Sequence, residues 1–398
     1  MQEIVSQPKG PPVIRLFASA SRRAALATVI LVSCLLTTPL LATTARLRAL
    51  GAGDFLEDDH NVQRWYGSLA DYPDLIVLDS GDFTIANGWQ NPTGNQYSGP
   101  SLGAHFQLKK MGTVALFVDG NQNDINPGSM VRDSMGASVS AMWSKRYGAL
   151  QPALVLRYGH DSGSEDESRS RVDYGFGLRV DLNEGAYLDF AGELKAYHED
   201  DGISSRTSHD NYGFRARSFI KLGENAALVP LAEYLHEDRP QPAFAAAAPA
   251  NMNGHVAKVG LGLHWYKDSD HTLLFALDHT DGEERYGEPA LTDLSAFPST
   301  SQDWQSTAIS LGIETRYAYW FTLRASAIFR QLETKPLLGG NERSDGFNLN
   351  LGAAIQLADY DLDLSISDTQ PRSFAQTPAA PISAAEDSWF SLSLRRRW

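Results

Sequence analysis

Apolar and polar residues alternate along most of the chain beyond residue 73. In one such segment Val172, Tyr174 and Phe176 alternate with Asp173 and Gly175. Because successive side chains of a β-strand point to opposite faces, each segment of this kind predicts one apolar and one polar face. The same alternation recurs near residues 188–195, 214–217, 321–330, 347–356 and 361–366. The pattern predicts an all-β protein made of amphipathic strands.

The connections between these strands alternate between short and long. Short turns fall near residues 110–112, 145–148, 182–185, 222–225, 267–270, 316–318 and 358–360. Long polar or Pro/Gly-rich stretches fall near residues 120–130, 160–170, 198–210, 236–254, 279–304, 332–346 and 368–386. Transmembrane barrels place short turns on the periplasmic side and long loops outside. The rhythm therefore predicts a transmembrane antiparallel up-and-down β-barrel of about 16 strands over residues 73–398.

Composition is compatible with such a barrel. Mean hydropathy is -0.29, and no continuous apolar run after residue 45 is long enough for a membrane helix. A barrel tolerates this value because only alternate residues face lipid. The net charge of -14 argues against nucleic acid as a partner. No nucleotide-binding loop or zinc signature occurs, so we expect no cofactor and no metal.

Residues 1–45 have the pattern of a signal peptide. Arg22 and Arg23 precede an apolar run over residues 24–36, which leads to small residues ending at Ala45. This order of basic, apolar and small residues predicts cleavage after Ala45 or three residues earlier. A membrane anchor is one alternative, and lipidation of Cys34, the only cysteine, is another. Cleavage removes Cys34 and lipidation consumes it, so neither outcome allows a disulfide framework or a cysteine metal site.

The last strand has one apolar and one polar face. Its apolar positions are Phe390, Leu392, Leu394 and Trp398. This segment resembles the closing strand of Gram-negative outer-membrane barrels, whose terminal aromatic residue belongs to the signal for the barrel-insertion machinery. Arg396 departs from that pattern, since an apolar residue is expected there. The resemblance implies an outer-membrane location, with lipid, lipopolysaccharide and the insertion machinery as partners; no oligomeric state is indicated.

A second motif lies after the predicted cleavage site. Residues 48–62 contain Arg-Ala-Leu-Gly, a second glycine, an aromatic residue and two aspartates. They resemble the opening of the fatty-acid-transporter-like outer-membrane family. That family's Asn-Pro-Ala-Gly part is missing, and residues 66–69 stand in its place. The resemblance implies that residues 46–72 form a plug inside a barrel, usually of 14 strands, which is our alternative count. The residues that carry it are Gly51, Gly53, Asp58, Asp59 and Asn61.

The same residues can be interpreted without the resemblance. Gly51 and Gly53 allow tight backbone turns. Asp58, Asp59 and Asn61 are good helix-capping residues, so we predict that they cap a short helix that continues through residues 65–69. A purely structural anchor for the plug, with no role in binding, is the favoured interpretation.

Charges of both signs recur on the predicted inward faces of the strands. Such a mixture is typical of a wet lumen or of one filled by salt bridges. The predicted lumen-lining residues are Arg157, Arg179, Asp189, Glu193, Lys195, Arg215, Arg217, Glu314, Arg324, Arg330, Asp361 and Asp363.

Three functions are compatible with this organisation. The first is a channel or transporter for a small solute. The family resemblance implies a hydrophobic solute, whereas the charged residues predicted for the lumen favour a polar one. The second is a structural or partner-docking barrel without transport. A barrel hydrolase is the least favoured, since its candidate groups at residues 160–161, 208–210 and 278–279 are adjacent on strands. Adjacent strand residues point to opposite faces and make poor catalytic pairs, so we predict no enzyme.

Overall fold

The computed structural model describes residues 44–80, 83–84, 100–124, 133–162, 168–183, 185–200, 205–240, 251–286, 301–335, 341–370 and 387–397. Most of the predicted signal peptide, residues 1–43, lies outside these ranges, as does Trp398 of the predicted insertion signal. Within them, an antiparallel sheet closes on itself around a short N-terminal segment.

Sixteen strands form this sheet in the described part of the chain. The first, β1, consists of Leu75–Asp79 and Phe83–Thr84, since both pieces pair with the last strand. The others are β2 Ser101–Gln107, β3 Thr113–Asp124, β4 Asp133–Ser144, β5 Leu150–Ser162, β6 Ser168–Asn183, β7 Ala186–Asp200, β8 Ser205–Lys221, β9 Ala226–Pro240, β10 Asn251–Tyr266, β11 His271–Tyr286, β12 Ser301–Ala318, β13 Phe321–Lys335, β14 Glu342–Leu357, β15 Tyr360–Gln370 and β16 Asp387–Arg397.

Pairing between the first and last strands closes the barrel. Leu75 lies opposite Arg397 of β16 on one side and His105 of β2 on the other, and both pairings are antiparallel. Every other strand pairs with its neighbours in sequence. Closure leaves no strand edge unpaired along this register. The predicted up-and-down barrel of 16 strands is confirmed, and the alternative count of 14 is wrong.

The predicted short turns are confirmed, with one local correction. The long connections lie largely outside the described residues, and strands extend into the stretches predicted for them, as β11 does through Tyr286. We predicted a turn at residues 316–318, but β12 continues through Ala318 and the turn follows at residues 319–320. A register shift between Arg316 and Ala318 accounts for the difference. Such a bulge inserts an extra residue into one strand and carries it further before the chain reverses.

The outer surface of the barrel is apolar and the inner surface is polar. Leu351 is 61% exposed, and Tyr174 and Val259 are similarly exposed, although they lie in the middle of long strands. Their neighbours in sequence, such as Asp173 and Asn350, are buried on the inner face. An apolar exterior around a polar interior is the arrangement that hydrocarbon requires of a barrel. The prediction of a multi-pass β-barrel of the outer membrane is confirmed.

Residues 44–72 form a plug within the barrel. Helix α1, Thr44–Leu50, packs against β12 to β16, while the 3₁₀ turn Tyr66–Asp71 packs against β3 to β7 on the opposite wall. Two further 3₁₀ turns, Gly53–Phe55 and His60–Gln63, connect them. The segment therefore crosses the lumen, in the half nearer the short turns. None of the described helices is long and apolar enough to span a membrane.

A continuous apolar core lies between the plug and one side of the wall. Val62, Trp65 and Leu69 of the plug have no solvent exposure and pack with wall residues that include Val155 and Val229. Burial of a large apolar side chain contributes about 1.5–3 kcal/mol. Core packing thus fixes the plug against β1, β3 to β5, β7 to β9 and β11 of the wall.

The predicted helix capping is wrong. No side chain of the described residues caps the turn His60–Gln63, although Asp59 occupies its N-cap position. Asp59 instead accepts a hydrogen bond from Arg395 of β16 at 2.7 Å. The amide of Asn61 donates to the carbonyl oxygens of Gly53 and Leu56, both at 2.9 Å. A buried guanidinium needs a carboxylate more than a short turn needs a side-chain cap, so Arg395 of the wall determines the orientation of Asp59.

Close approach of backbones explains two glycines at the plug–wall contact. A Cβ on Gly67 would lie 2.5 Å from the backbone nitrogen of Arg179 and 2.9 Å from the carbonyl carbon of Leu178. A Cβ on Gly177 of β6 would lie 2.7 Å from the Cβ of Tyr66. Neither backbone can move away without disturbing the strand or the turn, so this contact requires glycine on both sides.

Gly67→Ala should weaken the packing of the plug against the wall. Overpacking of a well-packed contact costs about 1–3 kcal/mol, and here the added methyl group meets backbone atoms that cannot rotate away. We expect protease to cleave residues 46–72 of the folded barrel about tenfold faster, because local opening becomes less costly. Mass spectrometry of timed digests measures the rate. In the control Gly346→Ala, the added Cβ meets nothing closer than 3.9 Å and should leave cleavage unchanged. Equal rates for all three proteins would contradict the packing described here.

Candidate functional site: the plug–wall contact

Glu57 is the central acceptor of the plug. The guanidinium of Arg179 donates to its two carboxylate oxygens at 2.7 and 3.0 Å, and that of Arg217 donates at 3.1 Å. The hydroxyls of Tyr72 and Tyr187 also donate to it, the former at 3.1 Å. Arg179 lies on β6 and Arg217 on β8, so a single plug carboxylate binds two strands of the wall.

A wall aspartate holds both arginines in place. Asp189 of β7 lies between them and accepts from Nε of Arg179 at 2.7 Å and from Nε of Arg217 at 3.0 Å. Arg179 also donates to Asp71 of the plug at 2.8 Å. Because each guanidinium presents a rigid fork of donors, one edge binds the wall and the other binds the plug.

Arg217 also binds the plug backbone. Its Nη1 donates to the carbonyl oxygens of Leu56 and Asp54 at 2.7 and 3.1 Å. The guanidinium carbon lies 4.5 Å from the ring centroid of Trp65, a cation–π distance. These contacts provide hydrogen-bond acceptors for the Arg217 guanidinium, which has no solvent exposure. They also fix the path of the chain between the two connecting turns.

A second cluster continues the network toward β9 and β10. Asp54 of the plug accepts from Lys258 at 2.7 Å and pairs with Arg64 at 3.0 Å. Arg64 also pairs with Glu233 of β9, which in turn accepts from Arg215 at 2.7 Å. Plug and wall thus each contribute both signs of charge, which compensates the cost of burying them.

A third cluster joins the plug to the far wall. Arg46 of α1 donates to both oxygens of Glu314 at 2.7 and 2.9 Å, and Glu314 also accepts from Arg324 at 2.6 Å. Next to it, Arg395 of β16 donates to Asp59 and to the wall residue Asp361. The closing strand therefore takes part in holding the plug.

These contacts govern the ionisation of the plug carboxylates. Burial by itself raises the pKa of Glu57, but Arg179 and Arg217 outweigh it and lower the pKa to about 2. Burial likewise opposes ionisation of Asp54, and the positive charges of Arg64 and Lys258 hold its pKa below its ordinary value. Glu57 and Asp54 are therefore ionised at neutral pH.

The structure brings most of the predicted lumen residues to this contact. Those that bond plug atoms directly are Arg179, Glu193, Arg217 and Glu314; Glu193 accepts from the hydroxyl of Tyr66 at 3.1 Å. Arg395, which was not among the predicted lumen residues, also bonds the plug, through Asp59. The side chains that stand behind them in the wall network are Asp189, Arg215, Arg324, Asp361 and Asp363.

The remaining predicted residues lie on the inner face away from the plug charges. Arg157 pairs with Asp173 at 3.5 Å, and Lys195 with Glu237 at 3.2 Å. Arg330 is half-buried on β13. All twelve point inward, and their role in passage of a solute stays a prediction.

Sequence reasoning missed the plug side of the network. Arg46, Asp54, Glu57 and Arg64 are essential to it, yet they lie in turns and carry no periodic signal. One available indication was chemical: a predicted plug with mixed charges has to match a lumen with mixed charges. That argument gives the complementarity but not the pairs.

The motif residues and the insertion signal have separate positions. Gly51 ends α1 with a φ of 64°, and Asp58 and Asp59 are buried. Leu392 is 37% exposed on the outer face of β16, with the half-buried Phe390 and Leu394. The unexpected Arg396 lies over the ring of Tyr360 at 5.2 Å, which satisfies the cation at the surface. Recognition by the insertion machinery stays a prediction.

The candidate hydrolase groups are not brought together where the structure describes their side chains. His279 is exposed on the outer face and contacts Thr307 at 2.9 Å, whereas Asp278 faces Lys258. Ser208 is buried and accepts from Asn211, while His209 is exposed. These groups occupy opposite faces of their strands.

No protein-family model matches the sequence, and no curated protein matches it. Solved structures with a similar barrel include a FadL homologue of Pseudomonas aeruginosa, with 11% identity, coverage of 90% of this chain and 99% of that chain, and a TM-score of 0.45. A bacterial polysaccharide outer membrane secretin has 8% identity, 82% and 98% coverage and a TM-score of 0.47. The Pseudomonas putida toluene transporter TodX has 12% identity, 89% and 98% coverage and a TM-score of 0.37. At such low similarity, the solutes and partners of those proteins cannot be assigned to this chain.

Acid should loosen the plug through Glu57. Its pKa is depressed from 4.5 to about 2, so its stabilising contribution is complete above pH 4.5 and declines as the pH falls toward 2. Allowing for the 29% exposure of the side chain, we expect Glu57→Gln to lower the free energy of unfolding by about 2 kcal/mol at pH 7. Urea transitions followed by tryptophan fluorescence measure it.

The difference between wild type and Glu57→Gln should shrink between pH 4.5 and 2. Glu283→Gln is the matched control, since Glu283 also accepts from an arginine, Arg285, but on the exposed outer surface. An exposed ion pair contributes about 0–1 kcal/mol, so this variant should behave almost as wild type. A gap for Glu57→Gln that does not vary with pH would refute the proposed ionic role.

Proposed function

We propose that the protein mediates passage of a small polar solute across the outer membrane, with residues 44–72 as the gate. The observation that carries this proposal is the division of the lumen. The half nearer the short turns is filled by the plug, whereas the described inner face beyond the plug is polar, with Arg157, Arg171, Asp173, Lys195 and Glu237. A polar lining favours a hydrated solute over a hydrophobic one.

The number of strands is compatible with passage. Barrels of 16 strands enclose an aqueous channel unless a segment blocks it. Here the block is joined to the barrel by a covalent connection at residues 73–74, and otherwise by noncovalent contacts among the described residues. Displacement of the plug therefore opens the lumen without breaking any pairing between strands.

The ionic contacts suit a gate because their strength depends on hydration. A buried ion pair contributes little net stability, since its attraction is offset by the loss of solvation of both charges. Water that reaches Glu57, which is 29% exposed, solvates the carboxylate as it leaves Arg179. A solute that hydrates or competes for this cluster thus lowers the cost of opening.

The alternative is a structural barrel that transports nothing. The observation that favours it is the apolar core, in which Val62, Trp65 and Leu69 have no exposure. A core of that kind fixes a plug permanently unless the whole turn moves. The two functions differ in what a released plug does to permeability.

Release of the plug should increase conductance. We expect the triple variant Asp54→Asn, Glu57→Gln and Asp59→Asn to conduct at least about tenfold more often than wild type in planar bilayers, since three plug anions lose their wall cations. Deletion of residues 46–72 should give a permanently open barrel. Single-channel recording and liposome swelling with sugars of graded size measure both effects.

The control is again on the outer surface, where Glu283→Gln removes a carboxylate that does not touch the plug. Heat-modifiable migration of each variant on gels shows that the barrel has folded. If the folded barrel without residues 46–72 neither conducts nor admits sugars, the transport function is wrong and the structural alternative stands.

A further inference from the structure

A basic cavity lies at the short-turn rim, at the edge of the plug–wall contact. It has a volume of about 400 Å³ and opens between the turn that joins β2 to β3 and the turn that joins β4 to β5. Its cationic lining consists of Lys109, Lys110, Lys145 and Arg146, and Ala70 of the plug forms part of its inner side. The two turns are next to each other because β3 pairs with β4.

These two turns are basic in a chain that is otherwise acidic. Each carries two consecutive cations and no acid, whereas the sequences of the other short turns carry Glu184, Glu224, Asp268, Asp270 and Asp359 against the single cation Lys267. The net charge of the chain is -14. Four cations therefore line a single cavity on this rim, where they attract anions.

Most of this charge is available to a ligand. Among the described residues, Lys109 and Lys110 have no ion-pair partner, and both are exposed. The ammonium of Lys145 lies 4.7 Å from the ring centroid of Tyr147. Arg146 is held by Asp71 of the plug at 2.5 Å, so its position is fixed while the lysines remain solvated.

The surroundings of the cavity place it at the edge of the bilayer. Met111 is 67% exposed and Tyr147 is 52% exposed, and the apolar outer face of the barrel continues from them. The indole of Trp143 donates to the carbonyl oxygen of Met111 at 2.7 Å, which anchors an aromatic ring beside the turn. Aromatic residues of this kind occupy the level of the lipid headgroups.

We propose that this cavity binds the phosphate-bearing headgroup of an anionic phospholipid in the periplasmic leaflet. A ligand for this place needs an anionic head for the three lysines and acyl chains that run along the adjacent apolar wall. Basic pockets at a membrane rim are suited to such headgroups. A free anion would satisfy the lysines but leave the exposed surface of Met111 and Tyr147 without a contact.

Retention of phosphatidylglycerol tests the proposal. The full barrel is reconstituted in nanodiscs of phosphatidylethanolamine and phosphatidylglycerol, extracted into mild detergent and weighed by native mass spectrometry. We expect wild type to retain phosphatidylglycerol. The triple variant Lys109→Gln, Lys110→Gln and Lys145→Gln should retain it at least about tenfold less, since each lysine near an anionic lipid strengthens binding of that lipid.

The matched control removes three cations from the same rim outside the cavity, as Lys221→Gln, Lys267→Gln and Arg316→Gln. It should retain phosphatidylglycerol like wild type, and heat-modifiable migration should show all proteins folded. Equal retention by the cavity variant and wild type would overturn the proposal. So would complete displacement of the lipid by millimolar inorganic phosphate, which would indicate a site for free anions, or capture of an acidic protein by the same lysines with lipid retention unchanged.

Discussion

A buried charge inside a membrane barrel has to find its partner inside the same protein. Hydrocarbon surrounds the wall, so Arg179 and Arg217 can be neutralised only by carboxylates on the inner face of the wall or in the plug. Asp189 supplies one carboxylate for both, and Glu57 supplies the second. The position of the plug, the ionisation of its carboxylates and the closure of the lumen all depend on this requirement.

The requirement also explains why the plug is irregular. A long helix would present its charges at fixed intervals, whereas the wall cations lie at positions set by strand register. Short 3₁₀ turns let Asp54, Glu57 and Asp59 point to three different parts of the wall. Apolar packing of Trp65 and Leu69 then fixes the segment between those contacts. Ionic contacts give the plug its orientation, and burial gives it most of its stability.

Residue patterns were sufficient to predict the barrel because both faces of each strand are constrained by their surroundings. Lipid on one side and polar groups on the other enforce a period of two, as in Val172 to Val180. The alternation of turns and loops then gave the count of strands. The plug has no periodic pattern of this kind, because it has no face toward lipid. The capping predicted for Asp59 was wrong because its partner, Arg395, is 336 positions away in the chain.

The sequence by itself determined the strands, their inner and outer faces and the closed wall, since these follow from local periodicity and from the need to satisfy every backbone group in lipid. Only the tertiary structure decided which plug charge meets which wall charge, because strand register and closure bring together residues far apart in the chain. The basic cavity likewise depends on which strands the closed sheet makes neighbours. Two basic turns, at residues 108–112 and 145–149, form one cavity only because their strands are neighbours in the closed sheet.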